Sequence, residues 1–348
     1  VRIVWPAAYY GTHRGSFVPV IESVAGRLLD RGDRFDIVLP DLGPLPWHEE
    51  LRALGAGVHL VRPYDARAAA AATRRLRPDV AHAHFDGWLV TVTAALWPAR
   101  ARVLWHLHST FEPGGGPLRH TWRRAIKFRL VGRRVERFVV VTEGMVAEAE
   151  RLGVPRRKIA VVPNAVDRAR FGPPSPEERA AARAALGLGA GPAIAFFGRD
   201  PAIKGADVLA DALARTRPLT VVTVATPPAA VAQLERSARV VAQPLVDDVR
   251  TVLWAVDAIA IPSRGEGMPY VALEALACGV PVVASALPWA TELAARNGAV
   301  RVVPASDPAA LAAALDAVLR EPPRAAEAAV FDLEAWTERM LTLYDADW

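Results

Sequence analysis

The chain has 348 residues, of which 52% are hydrophobic and 23% charged, with a net charge of +5. That is enough for about two domains with substantial cores, and it excludes a disordered polypeptide. No run approaches the about 18 apolar residues of a membrane span, no stretch reads as a secretory leader, and a single cysteine, Cys278, excludes an intrachain disulfide framework, so a cytoplasmic location is expected.

Short β-rich runs alternate with helical stretches along the chain. The first strand is expected at Arg2–Trp5, then the loop Tyr10-Gly-Thr-His-Arg-Gly-Ser16 and a helix at Val18–Leu29. The loop lacks G-x-G-x-x-G and so carries no dinucleotide fingerprint, but its position makes Gly11, Thr12 and Gly15 a wall of any interdomain cleft. Strands follow at Phe35–Leu39, Val58–Val61, Val80–His84, Val103–His108, Phe138–Val141 and Ile159–Val162, with helices at Arg67–Leu76, Leu118–Val135 and Glu143–Leu152 among them.

Two of these strands end in His82-Ala-His84 and His106-Leu-His108, whose alternation puts each pair on one face. A four-histidine zinc site is conceivable, but neither cysteine nor carboxylate stands nearby at ligand spacing, so no metal is expected. His82 and His106 suit a core role, and His108, at the strand tip, a cleft role. Residues 119–137 carry many arginines around the stripe Trp122, Ile126 and Leu130. They read as a surface helix, with peripheral contact to an anionic membrane as the second reading. No nucleic-acid module accompanies the charge, so nucleic acid is not an expected partner.

PPSPEE at 173–178 interrupts the pattern and is the expected domain boundary. Strands resume at Ala193–Phe197, Thr220–Val224, Val240–Ala242, Ala258–Ile261, Val280–Ala284 and Val300–Val303, and Arg324–Trp348 is expected as one long helical tail. The near-continuous apolar strands argue for parallel sheets covered on both faces. The fold class is therefore α/β with two doubly wound domains, and ligands should gather beyond the carboxyl ends of the strands.

Two constellations stand at such ends. In Phe197-Gly-Arg-Asp-Pro-Ala-Ile-Lys-Gly205, Arg199 offers a planar fork and Lys204 a point charge to a phosphate-bearing ligand. Lysine occurs only at Lys127, Lys158 and Lys204, so one here has resisted the drift toward arginine. In PSRGEGMPYVALEALACGVPVVAS (262–285), a loop with Glu266 leads through Gly267, Met268 and Pro269 into a helix with Tyr270, Val271 and Glu274. The helix start would attract an anion, while the carboxylates suit hydroxyl groups, which together fit a nucleotide sugar. Glu274 falls on a helix apolar nearly all round, so either a protein group or a ligand must meet it.

These residues resemble the retaining glycosyltransferases of family four, over essentially the whole chain and most strongly over 193–285. The paired glutamates of that family, seven residues apart, match Glu266 and Glu274. Its phosphate-binding cations match Arg199 and Lys204, its cleft histidine matches His108, and VVPNAVD (161–167) matches its strand before the linker. Departures are Asn164-Ala165 for Asn-Gly, Pro288-Trp289 for a glycine pair, Ala225-Thr-Pro-Pro228 for a glycine-rich loop, and Gly11 and Gly15 set apart.

The resemblance implies the GT-B fold, with two Rossmann-like domains at 1–172 and 173–323 facing a cleft and a helix at 324–348 crossing back to the first domain. It further implies a nucleoside diphosphate sugar as donor, UDP before GDP, and no cofactor or metal. The acceptor would be a hydroxyl on a glycan, a lipid-linked sugar or a natural-product scaffold. Arg199 and Lys204 would stabilise the leaving diphosphate, Glu274 would hold the ribose, and Glu266 and His108 would hold the transferred sugar. A nucleotide-sugar epimerase or phosphorylase of the same fold, or a non-catalytic donor-binding subunit, are the rival expectations.

Overall fold

The computed structural model describes residues 1–109, 127–246, 248–322 and 331–346. The described residues form two compact units, the first made of 1–109, 127–163 and 333–346, the second of 164–246, 248–322 and 331–332.

The first unit holds seven parallel strands: β1 (Arg2–Pro6), β2 (Arg34–Pro40), β3 (Gly57–Val61), β4 (Val80–His84), β5 (Arg102–Leu107), β6 (Arg137–Val140) and β7 (Ile159–Val161). Their order is β3-β2-β1-β4-β5-β6-β7. The second unit holds six: β8 (Ala193–Phe197), β9 (Thr220–Val224), β10 (Arg239–Gln243), β11 (Ala258–Ile261), β12 (Val282–Ser285) and β13 (Val300–Val303), in the order β10-β9-β8-β11-β12-β13. Every residue of β4, β11 and β12 is buried, as expected of strands covered by helices on both faces. Side chains such as Ile194, Phe196, Leu209, Val221, Leu311 and Leu315 fill the core of the second unit. In each unit the strand order reverses at one place, between β1 and β4 and between β8 and β11, where a crevice opens at the carboxyl ends.

The second unit begins at Asn164, nine residues before the expected boundary. Residues 164–172 belong to it because they bond to it. Val166 N donates to Phe331 O at 2.9 Å, and Trp254 Nε1 donates to Gly172 O at 3.0 Å. PPSPEE, the expected break, opens a helix at Pro176–Ala185 through a capping box between Ser175 and Glu178.

The tail helix, Leu333–Asp345, belongs to the first unit. Thr337 bonds Ser23 at 2.7 Å, and Arg31 grips Asp345 through two nitrogens at 2.8 and 2.5 Å. Tyr344, 4% exposed, accepts from Trp5 Nε1 at 2.9 Å and bonds His82 Nδ1 at 2.7 Å. Tyr344→Phe strands two buried nitrogens, so it should cost about 1–3 kcal/mol in denaturant unfolding despite adding no cavity.

Of the basic stretch 119–137, residues 119–126 lie outside the described residues, Trp122 and Ile126 among them. The expected helix through Val135 stops earlier: a 3-10 turn occupies Val131–Arg133 and β6 begins at Arg137. Arg134 donates to Ala99 O and Ala101 O, and Arg137 to Arg157 O, so these cations serve the fold.

No helix among the described residues is long and apolar enough to cross a membrane. Cys278 is 3% exposed, and burial pushes its thiol up to about 12. Iodoacetamide at about pH 8 should leave it unlabelled in the folded protein and label it after unfolding, as read by mass spectrometry.

Candidate functional site

In the second unit, the loops after β8 and β11 flank the point where the strand order reverses. The first loop turns at Asp200, whose carboxylate accepts from Ile203 N at 3.3 Å and caps the short helix Pro201–Lys204. Gly205 ends that helix at φ +74° and lies so close to the second loop that a Cβ there would stand 2.1 Å from Pro262 O. Arg264 fastens the two loops. Its backbone N–H donates to Ile203 O at 2.8 Å, and its guanidinium bonds Ala202 O at 2.7 Å and both oxygens of Asp207 at 2.9 and 2.6 Å.

This arrangement brings Lys204 onto Glu266, where Nζ donates to Oε1. The same oxygen accepts from Ser263 Oγ at 3.1 Å, and Ser263 is 1% exposed. Both members of the ion pair keep part of their surface open, 29% for Lys204 and 14% for Glu266, so a ligand can reach them. Arg199, just past β8, is exposed and has no acidic partner among the described residues. It is not drawn to Lys204 or Glu266.

The helix expected from Pro269 runs from Tyr270 to Ala277, with Pro269 as its N-cap and no side chain capping it. Gly267 and Met268 are buried in the approach, and Tyr270 and Val271 are half-buried in its first turn. Asn164 Nδ2 pins the approach by donating to Met268 O at 2.7 Å. Glu274 is 3% exposed and is engaged within the protein, so its burial does not by itself require a ligand.

Ala225, in place of a glycine-rich loop, takes φ +52°, a conformation that costs a residue with a Cβ. Pro288 opens the helix Pro288–Ala294 at its N1 position, and Trp289 is fully buried behind it.

In the first unit, His108 lies one residue beyond β5, half-buried. Its Nε2 meets His84 Nδ1 at 3.0 Å, and its ring stacks on Phe85 at 4.4 Å and His106 at 4.2 Å. Burial lowers its pKa to about 3, so it is a neutral imidazole at physiological pH. Phe85 holds φ +64° in the turn after β4, a strained choice for an aromatic residue at a crevice. Tyr9 lies over Phe85 at 5.8 Å and crowds the loop at Gly11–Gly15, where a Cβ on Gly11 would fall 2.4 Å from its ring. Gly15 takes φ +52°, and Thr12 bonds the neighbouring His13 at 3.1 Å. Phe85, Tyr9 and the Arg264–Asp207 clamp escaped the sequence reading. The position of Phe85 right after a His-x-His strand end was the available signal.

The family described as Glycosyltransferase Family 4 matches residues 19–170, and that described as Glycosyl transferases group 1 matches 191–321. The D-inositol 3-phosphate glycosyltransferase of Xylanimonas cellulosilytica is 33% identical over 286 residues, covering 72% of this chain and 66% of the relative. The protein of the same name from Jonesia denitrificans is 31% identical over 314 residues, covering 77% and 71%. The chain thus spans about two thirds of the length of these relatives. Among solved structures, Anabaena HepE with UDP and glucose superposes with a TM-score of 0.80 at 18% identity over 99% of both chains. Sucrose-phosphate synthase of Thermosynechococcus elongatus gives 0.76 at 18%, over 99% and 98%. The fold is the GT-B fold.

Proposed function

We propose, from the premise that this chain belongs to glycosyltransferase family 4, that it moves a sugar from a nucleoside diphosphate sugar to a hydroxyl acceptor with retention of anomeric configuration. The observation that carries the reading is the Lys204–Glu266 pair, seated where the strand order of the second unit reverses. A cation and a carboxylate held side by side suit a ligand that joins a diphosphate to a hydroxyl-rich sugar. Lys204 and Arg199 face the phosphates and stabilise the charge that builds as the diphosphate departs. Glu266 accepts from hydroxyls of the transferred sugar, and Glu274 serves the ribose. The first turn at Gly267–Val271 offers backbone N–H groups to the anion.

In the first unit, His108 and the loop residues Gly11, Thr12 and Gly15 are the groups that the family reading assigns to the sugar and acceptor. No enzymic nucleophile is needed if the departing phosphate accepts the proton of the acceptor hydroxyl. Transfer then proceeds without a catalytic divalent metal, in the cytoplasm. UDP is the favoured nucleotide, being the commoner donor and the one bound in the Anabaena HepE structures.

The test is a thermal-shift screen of UDP-, GDP-, ADP- and dTDP-sugars, followed by NMR of the product anomer with an acceptor panel that includes D-inositol 3-phosphate. One donor should raise the melting temperature by mass action, and the product should keep the donor's anomeric configuration. An inverted product, or a shift from none of the donors, would overturn the reading. Donor alone yielding an epimerised sugar would replace it with an isomerase.

A further inference from the structure

We propose that the first unit carries a zinc site to which His82, His84 and His106 supply three nitrogen ligands. All three imidazoles are fully buried, and each offers a ring nitrogen such that the three nitrogens lie within 4.8 Å of one another. Their ring centres are separated by 4.2 Å (His82–His84), 5.0 Å (His84–His106) and 5.3 Å (His82–His106). Imidazoles sharing one tetrahedral zinc at about 2.0–2.1 Å have centres about 5 Å apart, so the cluster is already near the size such an ion sets.

The remaining nitrogens tell the same story. His82 Nδ1 is bonded to the Tyr344 hydroxyl at 2.7 Å, and His84 Nδ1 to His108 Nε2 at 3.0 Å. The Nε2 atoms of His82 and His84 and both nitrogens of His106 have no hydrogen-bond partner among the described residues. Buried polar atoms left so are costly, and here they cluster. A metal-bound histidine characteristically holds its other ring nitrogen in a hydrogen bond, which His82 and His84 both do.

The ligand set is nitrogen alone, which suits zinc and not magnesium or calcium. The site lies behind His108, between the sheet and the helix Leu333–Asp345, with Trp5 and Trp336 against its rings. An ion there ties β4 to β5, and the tail helix joins the cluster through the Tyr344 hydroxyl on His82.

The test uses the untagged full chain, stripped with EDTA, reconstituted with zinc and passed through a desalting column. Elemental analysis should find about one zinc per chain, the reconstituted protein should melt higher than the stripped one, and cobalt(II) should give the visible bands of a tetrahedral site. His106→Phe keeps an aromatic ring against Trp336 and should abolish zinc retention, while His59→Gln, on a separate strand, should keep it. A wild-type protein that retains no zinc and shows no melting response overturns the proposal. So does His106→Phe protein that binds zinc as well as wild type. If His106→Phe fails to fold, the wild-type zinc content and cobalt spectrum decide alone.

Discussion

Lys204→Ala is expected to lower kcat by about 10²–10³-fold while the protein keeps its fold, a loss of the size seen when one preorganised donor is removed from a developing negative charge. The ammonium has three N–H donors, so it can hold Glu266 and still meet a phosphate oxygen. Bound this way, it is oriented before the donor arrives and need not reorganise as the bond to the diphosphate breaks. Arg199, exposed and unpaired by any acid among the described residues, does not replace that orientation. The bland alternative is an ion pair that serves only the fold. A partly exposed pair contributes about 0–1 kcal/mol, so that alternative forecasts a small change in stability and an unchanged turnover. Measuring kcat, KM and denaturant unfolding for Lys204→Ala, Glu266→Gln and the double variant separates the two. Turnover within about threefold of wild type in Lys204→Ala would remove the lysine from the reaction.

The fold was legible because most of its strands are buried on both faces, the edge strands β3 and β10 apart. Runs such as Ala258–Ile261 and Val280–Ala284 are apolar at nearly every position, and the thirteen strands fall within two residues of where the runs stand. The candidate site residues stood out for a different reason: a lone lysine in an arginine-rich chain, and two carboxylates beside a helix start. Contacts between segments far apart in the chain were not legible. Nothing in the sequence around Arg264 shows that it clamps Asp207, 57 residues away, or that Asn164 reaches Met268, 104 residues on. The boundary was misplaced because PPSPEE looks like a linker and acts as a helix cap, while residues 164–172, which carry no such punctuation, pack on the second unit. Glu274 gives the sharpest lesson. Its burial was read as a demand on some partner, and the protein itself meets that demand, so its role toward a ribose rests on the family alone.

Gly205→Ala should be the most damaging small substitution in the second unit. Gly205 and Gly279 share nearly the same backbone conformation, φ +74° and +76°. An alanine at either pays the cost of a left-handed L-residue, about 1–2 kcal/mol. Their surroundings differ. At Gly279 the nearest atom to an added Cβ is Pro173 Cγ at 3.7 Å, an ordinary contact; at Gly205 it is the backbone carbonyl of Pro262, with O at 2.1 Å and C at 2.9 Å. A carbonyl cannot swing aside as a side chain can, so the two loops must part. Parting them pulls Lys204 from Glu266 and loosens the Arg264–Asp207 clamp, so donor affinity and turnover should fall together with stability in Gly205→Ala. In Gly279→Ala only the conformational cost should appear, with donor binding intact. Equal losses in stability and equal donor melting shifts for the two variants would show that the approach of Gly205 to Pro262 does not hold the site together.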